Sequence, residues 1–264
     1  MGAGIPKRIY YCWFGGNALP EFAQKCIASW KELCPEYEIV EINETNFDLD
    51  YCSYVQEAYQ AGKWAFVSDV ARLYALVNNG GIYMDTDVEL KRSLDEFLVN
   101  EAVCGFETDE SVAMAVIMCR KDHPLFSEML EGYKESHFVK AEGTYDTTTN
   151  VVRLTALCKE YGLVGNNSEQ TVKDVLILPR EYFSPKDFTT KKVNVTNNTI
   201  AIHHFDGSWV SAEDKTAHEL VAKYRRFMPA KVAGYLAKFV VAKRNRGFFK
   251  AVKETFLWLF GKRR

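Results

Sequence analysis

Residues 65–90 read AFVSDVARLYALVNNGGIYMDTDVEL. Val67, Val70, Leu73, Tyr74 and Val77 recur at helical spacing, so Ala65 to Asn78 is predicted to be a helix with an apolar stripe facing a core. Asn79-Gly80-Gly81 stops it, because glycine takes the positive φ of a helix end without a Cβ penalty. Ile82 to Met84 then reads as a short strand that runs straight into Asp85-Thr86-Asp87. Two carboxylates held that close repel unless a proton or a cation sits between them. On the spacing alone, a solvated acidic turn is the default reading, because D-x-D occurs by chance in many proteins.

Working outward, Ile9 to Phe14 is an apolar run ending in Gly15-Gly16, a buried strand meeting a tight loop. A helix from Pro20 to Cys34 follows, with Phe22, Cys26, Ile27, Trp30 and Leu33 on one face, and Tyr37 to Ile42 alternates as a strand does. A further helix is predicted over Tyr51 to Ala61. Strand–helix–strand order favours an α/β fold with a mostly parallel central sheet flanked by helices. Later strands are expected at Val103–Phe106, Val112–Cys119, Val175–Leu178 and Thr199–His204, and helices at Pro124–Phe138, Asn150–Tyr161 and Ala212–Phe227. The expected organisation is one mixed α/β domain over residues 1–227 and a helical tail over 228–264.

The 264 residues are 47% hydrophobic and 26% charged, an ordinary globular balance with room for a large core. Seven scattered cysteines, odd in number and without a CxxC, point to reduced thiols and a cytoplasmic setting. No signal peptide and no apolar run of about 20 residues is legible. The net charge of −2 conceals a split: Ala222 to Arg264 holds 13 Lys/Arg against the single acid Glu254, so the rest of the chain carries −14. That tail interleaves its basic residues with Phe248, Phe249, Phe256, Trp258 and Phe260. Basic amphipathic segments of this kind lie on anionic membranes, which predicts a peripheral location on the inner face of the cell membrane. The bland alternative is a helix pair packed on the domain. Nucleic acid suits the charge but not the apolar end.

Three clusters could do chemistry. Asp85 and Asp87 offer oxygen ligands to a hard ion such as Mn²⁺ or Mg²⁺ at the carboxyl end of a strand, where open α/β sheets bind ligands. Ser68, Asp69 and Arg72 are polar intrusions on an apolar helix, and Asp69 and Arg72 share a face. A partly buried ion pair there is costly unless a ligand uses it, although a plain intrahelical pair is the simpler reading. His203 and His204 are neighbours in an expected strand, so they face opposite sides and only one can enter a given site. Ser208 and Trp209 follow Gly207 in a loop that could bring a hydroxyl and an indole N–H onto phosphate.

Taken in order, IYYCWFGG (9–16), SWKELCPEYEIVEINETNFD (29–48), FVSDVARLYALVNNGGIYMDTDVEL (66–90) and HHFDGSW (203–209) resemble the DXD-containing sugar transferases of glycosyltransferase family 32. That family includes yeast initiating mannosyltransferases and bacterial capsular-polysaccharide enzymes, and the large clostridial glucosylating toxins look like distant relatives. The resemblance covers about Ile5 to Trp209 and leaves out the tail. It implies a GT-A-like nucleotide-sugar-binding fold and a retaining, metal-dependent hexosyl or N-acetylhexosaminyl transfer from a nucleotide sugar, with UDP favoured. The implied acceptor is a saccharide or a lipid-linked saccharide of surface polysaccharide synthesis.

Carried across, the resemblance implies that Trp13, with Phe14 and Gly15 beside it, stacks on the nucleotide base. Ser68, Asp69 and Arg72 would hold the donor sugar and phosphate, and Tyr83 would line the same pocket. Asp85 would touch ribose or metal, Asp87 would bind the metal, and His204 would complete the metal set. Thr86 is the spacer within the donor-binding motif. Ser208 and Trp209 would close over the diphosphate. Asp69, Arg72, Asp85 and Asp87 would carry the catalysis. Thr148-Thr149-Asn150 stands where many members have Thr-Gly-Pro, so Asn150 heads a segment that should border the sugar with contacts of its own. The rival reading is a catalytically silent nucleotide-sugar-binding or scaffold protein in a membrane-associated assembly. A phosphatase of the haloacid type is disfavoured, because its DxD follows the first strand.

Overall fold

A computed structural model describes residues 4–187, 190–207, 216–217, 220–221, 223–225 and 227–252. By packing, the chain divides into two compact units, Met1–Phe205 and Asp206–Arg264. The first unit is a mixed α/β fold whose large sheet is flanked by helices. Its elements run β1 (Arg8–Cys12), α1 (Glu21–Leu33), β2 (Glu38–Ile42), α2 (Ser53–Gln60), α3 (Trp64–Asn79), β3 (Gly81–Met84) and β4 (Val88–Leu90). They continue with β5 (Ala102–Gly105), β6 (Val116–Cys119), α4 (Pro124–Lys134), α5 (Asn150–Glu160), β7 (Gln170–Val172), β8 (Val175–Leu178) and β9 (Ala201–His203).

The main sheet has seven strands in the order β2-β1-β3-β6-β5-β8-β7. Its first half is parallel, as the strand–helix–strand opening predicts, with β1 flanked by β2 and β3. It is not mostly parallel as a whole. β6 runs antiparallel between β3 and β5, and β7 folds back antiparallel on β8, so parallel pairings survive only at β1–β2, β1–β3 and β5–β8. Short connections explain the reversal: β5 returns directly into β6 with no helix between them, and such a return closes only an antiparallel pair. β4 and β9 form a separate two-stranded antiparallel ribbon.

Two apolar layers sandwich the sheet. On one face α2, α3, α4 and α5 bury Val67, Val70, Leu73 and Leu76 against Tyr10, Tyr83, Ile117 and Cys119. On the other, α1 buries Ile27 and Trp30 against Ile9, Tyr11, Ile82 and Val88. Period-two alternation in β1 and β3 sends neighbouring side chains to opposite layers, which fixes their register. Trp30 is fully buried and its indole N–H donates to the Val88 carbonyl at 2.7 Å. Ser29 accepts from the Leu90 amide at 3.0 Å, so α1 pins both ends of β4. All seven cysteines are free thiols.

The second unit contains α6 (Ala230–Arg246), an expected helix in the basic tail, ended by Gly247 at φ +85°. Beyond it Phe248 and Phe249 are exposed, Phe249 to 89%. Among the described residues, no helix is long and apolar enough to cross a membrane. Phe256, Trp258 and Phe260 lie outside the described residues, as do Ser208 and Trp209.

Candidate active site

β1 and β3 run side by side, so the carboxyl end of β1 at Cys12 and the carboxyl end of β3 at Met84 come out on the same edge of the sheet. α3 packs across both, and its polar residues meet that edge. The Cys12 thiol approaches the Ser68 carbonyl at 3.9 Å. Arg72, only 7% exposed, is the hub. Its Nη2 lies 3.3 Å from Asp69 Oδ1, and its Nη1 lies 3.3 Å from Asp85 Oδ1 and donates to the Met114 carbonyl at 2.9 Å. Its Nε donates to the Ser68 carbonyl at 3.3 Å, and the guanidinium sits 4.3 Å from the Tyr83 ring centroid. Tyr83 in turn donates its hydroxyl to Asp85 Oδ1 at 2.8 Å. Ser68, Asp69, Arg72, Tyr83 and Asp85 therefore form one connected network.

The charges are unequal in number at the centre. Burial pulls the Arg72 guanidinium down, but Asp85, Tyr83 and Asp69 outweigh it and hold the group firmly protonated. Burial pushes the Asp69 carboxyl up to about 6; Arg72 opposes that rise and Asp85 adds to it. Burial also drives the Tyr83 hydroxyl well above its ordinary range, so it stays a donor to Asp85.

Asp85 to Val88 form a tight turn, closed by the Val88 amide donating to the Asp85 carbonyl at 3.0 Å. The Asp85 amide extends the β3–β6 ladder by donating to the Ala115 carbonyl at 2.9 Å. The turn brings both aspartates toward β9, where one ligand atom each from Asp85, Asp87 and His203 lie within 4.8 Å of one another. His203 Nε2 is 3.5 Å from Asp87 Oδ1. Two carboxylates and one imidazole nitrogen match the donor set of a hard-to-intermediate divalent ion.

The histidine in this cluster is His203, one residue before the expected His204. In the β4–β9 ribbon Val88 pairs with His203, and the His204 amide donates to the Asp87 carbonyl at 3.0 Å. His204 itself points to the other side. Its Nε2 lies 2.9 Å from Glu89 Oε2, and its ring meets Phe22 edge-on at 5.0 Å. Lys91 shares the same glutamate.

The remaining expected residues take varied places. Trp13 follows β1, half-buried, with its indole N–H donating to the Asn17 carbonyl at 2.6 Å. Phe14 is buried edge-on against Phe47, in the core. The Gly15 amide donates to Glu44 at 2.6 Å, and at φ +93° a Cβ there would meet the Trp64 indole at 2.6 Å. Thr86 is buried between the aspartates. Asn150 is buried with both ends of its amide engaged: Nδ2 donates to the Asp69 carbonyl at 2.9 Å, and Oδ1 accepts from the Tyr133 hydroxyl. It straps α5 to α3 behind Asp69.

Two participants were not legible beforehand. Arg153, one turn along α5 from Asn150, pairs with Asp146 at 2.5 Å and lies 4.8 Å from the Tyr133 ring centroid. Glu107, in the turn after β5, lies 4.0 Å from His203 Nδ1. No motif marks either position, because each reaches the site through a turn or a helix face set by tertiary packing.

Comparison with known proteins bears on this site. Residues 20–104, the segment that holds α1, α3 and the Asp85-Thr86-Asp87 turn, match the family described as "Glycosyltransferase sugar-binding region containing DXD motif". The chain is 29% identical over 138 residues to inositol phosphoceramide mannosyltransferase 3 of Schizosaccharomyces pombe (strain 972 / ATCC 24843), covering 49% of this chain and 37% of that relative. Similar solved structures include the PaToxG glycosyltransferase (17% identity, TM-score 0.44, 49% of this chain and 60% of that one). The galactosyltransferase LgtC in complex with donor and acceptor sugar analogues is another (12% identity, TM-score 0.42, 87% of this chain and 95% of that one). The chain thus spans well under half the length of its curated relative.

Proposed function

We propose that this protein is a divalent-metal-dependent glycosyltransferase that moves a hexose or N-acetylhexosamine from a nucleotide sugar to a saccharide or lipid-linked saccharide acceptor. The observation that carries the reading is the junction at Asp85. One neighbour, Arg72, ties it to the buried Asp69, and the turn it opens ends at Asp87 beside His203. A cation-binding triad and a buried cationic hub, joined through one carboxylate, suit a substrate that carries both a sugar and a diphosphate.

Asp85, Asp87 and His203 would hold the cation, and the imidazole in the set favours Mn²⁺ over Mg²⁺. When bound, that ion supplies positive charge opposite a departing diphosphate. The chain's own residues do the rest. Arg72, kept protonated, offsets negative charge that develops as the bond between anomeric carbon and phosphate oxygen breaks. Asp69, buried beside it, faces the sugar, where a carboxylate stabilises oxocarbenium character. Tyr83 keeps Asp85 oriented through that step. No residue here is assigned as a covalent nucleophile, and the reading takes the transfer to proceed with retention.

The half-buried Trp13 at the carboxyl end of β1 supports a uridine base, hence a UDP-sugar donor. The basic tail with Phe248 and Phe249 exposed supports attachment to an anionic membrane surface, where lipid-linked acceptors of surface polysaccharide synthesis reside. The test is a panel of nucleotide sugars with Mn²⁺, read as slow donor hydrolysis and as thermal stabilisation. One donor is expected to respond, and Asp87→Asn is expected to abolish both signals. A silent panel, or an Asp87→Asn protein that behaves as wild type, refutes the enzyme reading.

A further inference from the structure

His203 presents a specific difficulty as a metal ligand. The residue is 8% exposed, and its Nδ1 is buried with no hydrogen-bond partner. Nε2 is the nitrogen on the Asp87 side, so a ligand role needs a lone pair at Nε2 and therefore a proton at Nδ1. A buried N–H without an acceptor is costly, on the order of 1–3 kcal/mol. Something must accept that proton if the tautomer is to be held.

Among the described residues, the carboxylate on that edge of the ring is Glu107, with Oε1 4.0 Å from Nδ1. We infer that Glu107 is the positioning residue of this centre: it accepts the Nδ1–H of His203 and thereby turns Nε2 toward the aspartates. The inference rests on the metal reading proposed above. For a hydrogen bond the separation must close by about 1 Å, which a glutamate side-chain rotation covers. The Glu107 backbone is fixed for the task. Its amide donates to the Ser111 carbonyl at 2.7 Å, and the turn is braced by the Thr108 and Ser111 hydroxyls, 2.6 Å apart. Phe205 covers the imidazole, with ring centroids 4.0 Å apart, so the ring has little room to swing away. Burial raises the Glu107 carboxyl; His203 draws it down, and Asp85 and Asp87 add to the rise, so the residue sits within the field of the same centre.

Two other roles for Glu107 are possible, packing alone or direct ligation. Direct ligation is disfavoured because Nδ1 and Nε2 diverge on the ring, and Glu107 lies on the edge away from Asp87. A carboxylate on the distal nitrogen of a metal-bound histidine is a recurrent device, and its loss typically weakens metal binding by about 10–100-fold.

The test uses the full chain and Mn²⁺ alone, titrated by calorimetry. Glu107→Ala is expected to weaken Mn²⁺ binding by about 10–100-fold. Glu107→Gln keeps a side-chain oxygen as acceptor and is expected to stay within a few-fold of wild type. Wild-type affinity in Glu107→Ala overturns the inference, as does equal weakening in both variants, which would make Glu107 a charge or a ligand. Should Glu107→Ala fail to fold, nitrogen-15 NMR of the histidines in wild type loaded with Zn²⁺ decides. Protonated Nδ1 and metallated Nε2 at His203 are expected, and metallated Nδ1 overturns it. A wild type that binds no divalent ion sinks the metal reading itself. A wild type whose binding depends on His203 but not on Glu107 sinks only this inference.

Discussion

Replacing Asp69 by Asn is expected to stabilise the fold near neutral pH while removing a charge that the proposed chemistry uses. Burial lifts the Asp69 carboxyl from its ordinary 3.8 to about 6, with Arg72 opposing the rise and Asp85 adding to it. In the window between those values the folded chain keeps a proton that the unfolded chain releases. The contribution of this residue to stability is therefore fully present below 3.8 and lost as pH rises through about 6. A rise of that size corresponds to ~3 kcal/mol at full ionisation, of which ~2 kcal/mol falls between about pH 4.5 and 7.5. Asn has the shape of the protonated acid and does not titrate. Urea unfolding of the metal-free full chain, wild type and Asp69→Asn, at those two pH values isolates the term, because other groups cancel in the difference. Relative to wild type, the variant should gain ~2 kcal/mol on going from the lower to the higher pH. Parallel pH profiles would refute the reasoning, and a relative loss would mean that Arg72 stabilises an ionised Asp69 outright.

Three further outcomes are expected. His203→Ala should weaken Mn²⁺ binding by at least about tenfold, whereas His204→Ala should leave it unchanged and cost only ~1 kcal/mol for the Glu89 contact, read by calorimetry and thermal melts. Trp30→Phe removes the donor to the Val88 carbonyl, 2.7 Å away, and should destabilise the fold by ~1–3 kcal/mol while loosening β4 under the DXD turn. A drop in melting temperature with Mn²⁺ affinity also reduced is expected; unchanged affinity would mean that β4 does not position the turn. For the tail, Phe248→Ser with Phe249→Ser should lower co-sedimentation with phosphatidylserine vesicles, and about 0.5 M NaCl should lower it further through screening of the basic residues. Undiminished binding by the double variant would remove the exposed aromatics from the membrane reading.

The helix of residues 64–79, the strand after it and the acidic turn were all legible because each has a local cause: helical periodicity, a glycine stop, an apolar run cut short by charge. The sheet's antiparallel half was not. β4 and β7 are three residues each, too short for a pattern, and the reversal at β6 depends on which strand lies beside it. The histidine assignment shows where local reasoning stops. Alternation in an extended strand established that His203 and His204 face opposite ways, but not which faces the aspartates. That choice is made by the pairing of β9 with β4, a contact between positions more than a hundred residues apart in sequence. Resemblance selected His204, while ribbon register put His203 beside Asp87. Glu107 lay beyond reach for the same reason, since its meeting with His203 joins a turn and a strand that share no motif.

The arrangement around Asp85 explains how two aspartates tolerate each other before any cation arrives. Asp85 Oδ1 is held from one side by Arg72 Nη1 at 3.3 Å and from another by the Tyr83 hydroxyl at 2.8 Å. A carboxylate with one oxygen fixed by two donors cannot rotate freely, so its second oxygen has a defined direction. The guanidinium also supplies positive charge beside Asp85, which offsets repulsion from Asp87 without a bound ion. Arg72 can do this only because Asp69 shares it: burying an arginine against Asp85 alone would leave donors unmatched on the helix side. Burial, which Arg72 only partly offsets, is what raises the Asp69 carboxyl, and in the proposed reaction the same burial would strengthen its charge against a developing cation. Stability and function thus oppose each other at Asp69 and reinforce each other at Asp85. Charge-removing substitutions at the two aspartates should therefore move the unfolding free energy in opposite directions near neutral pH.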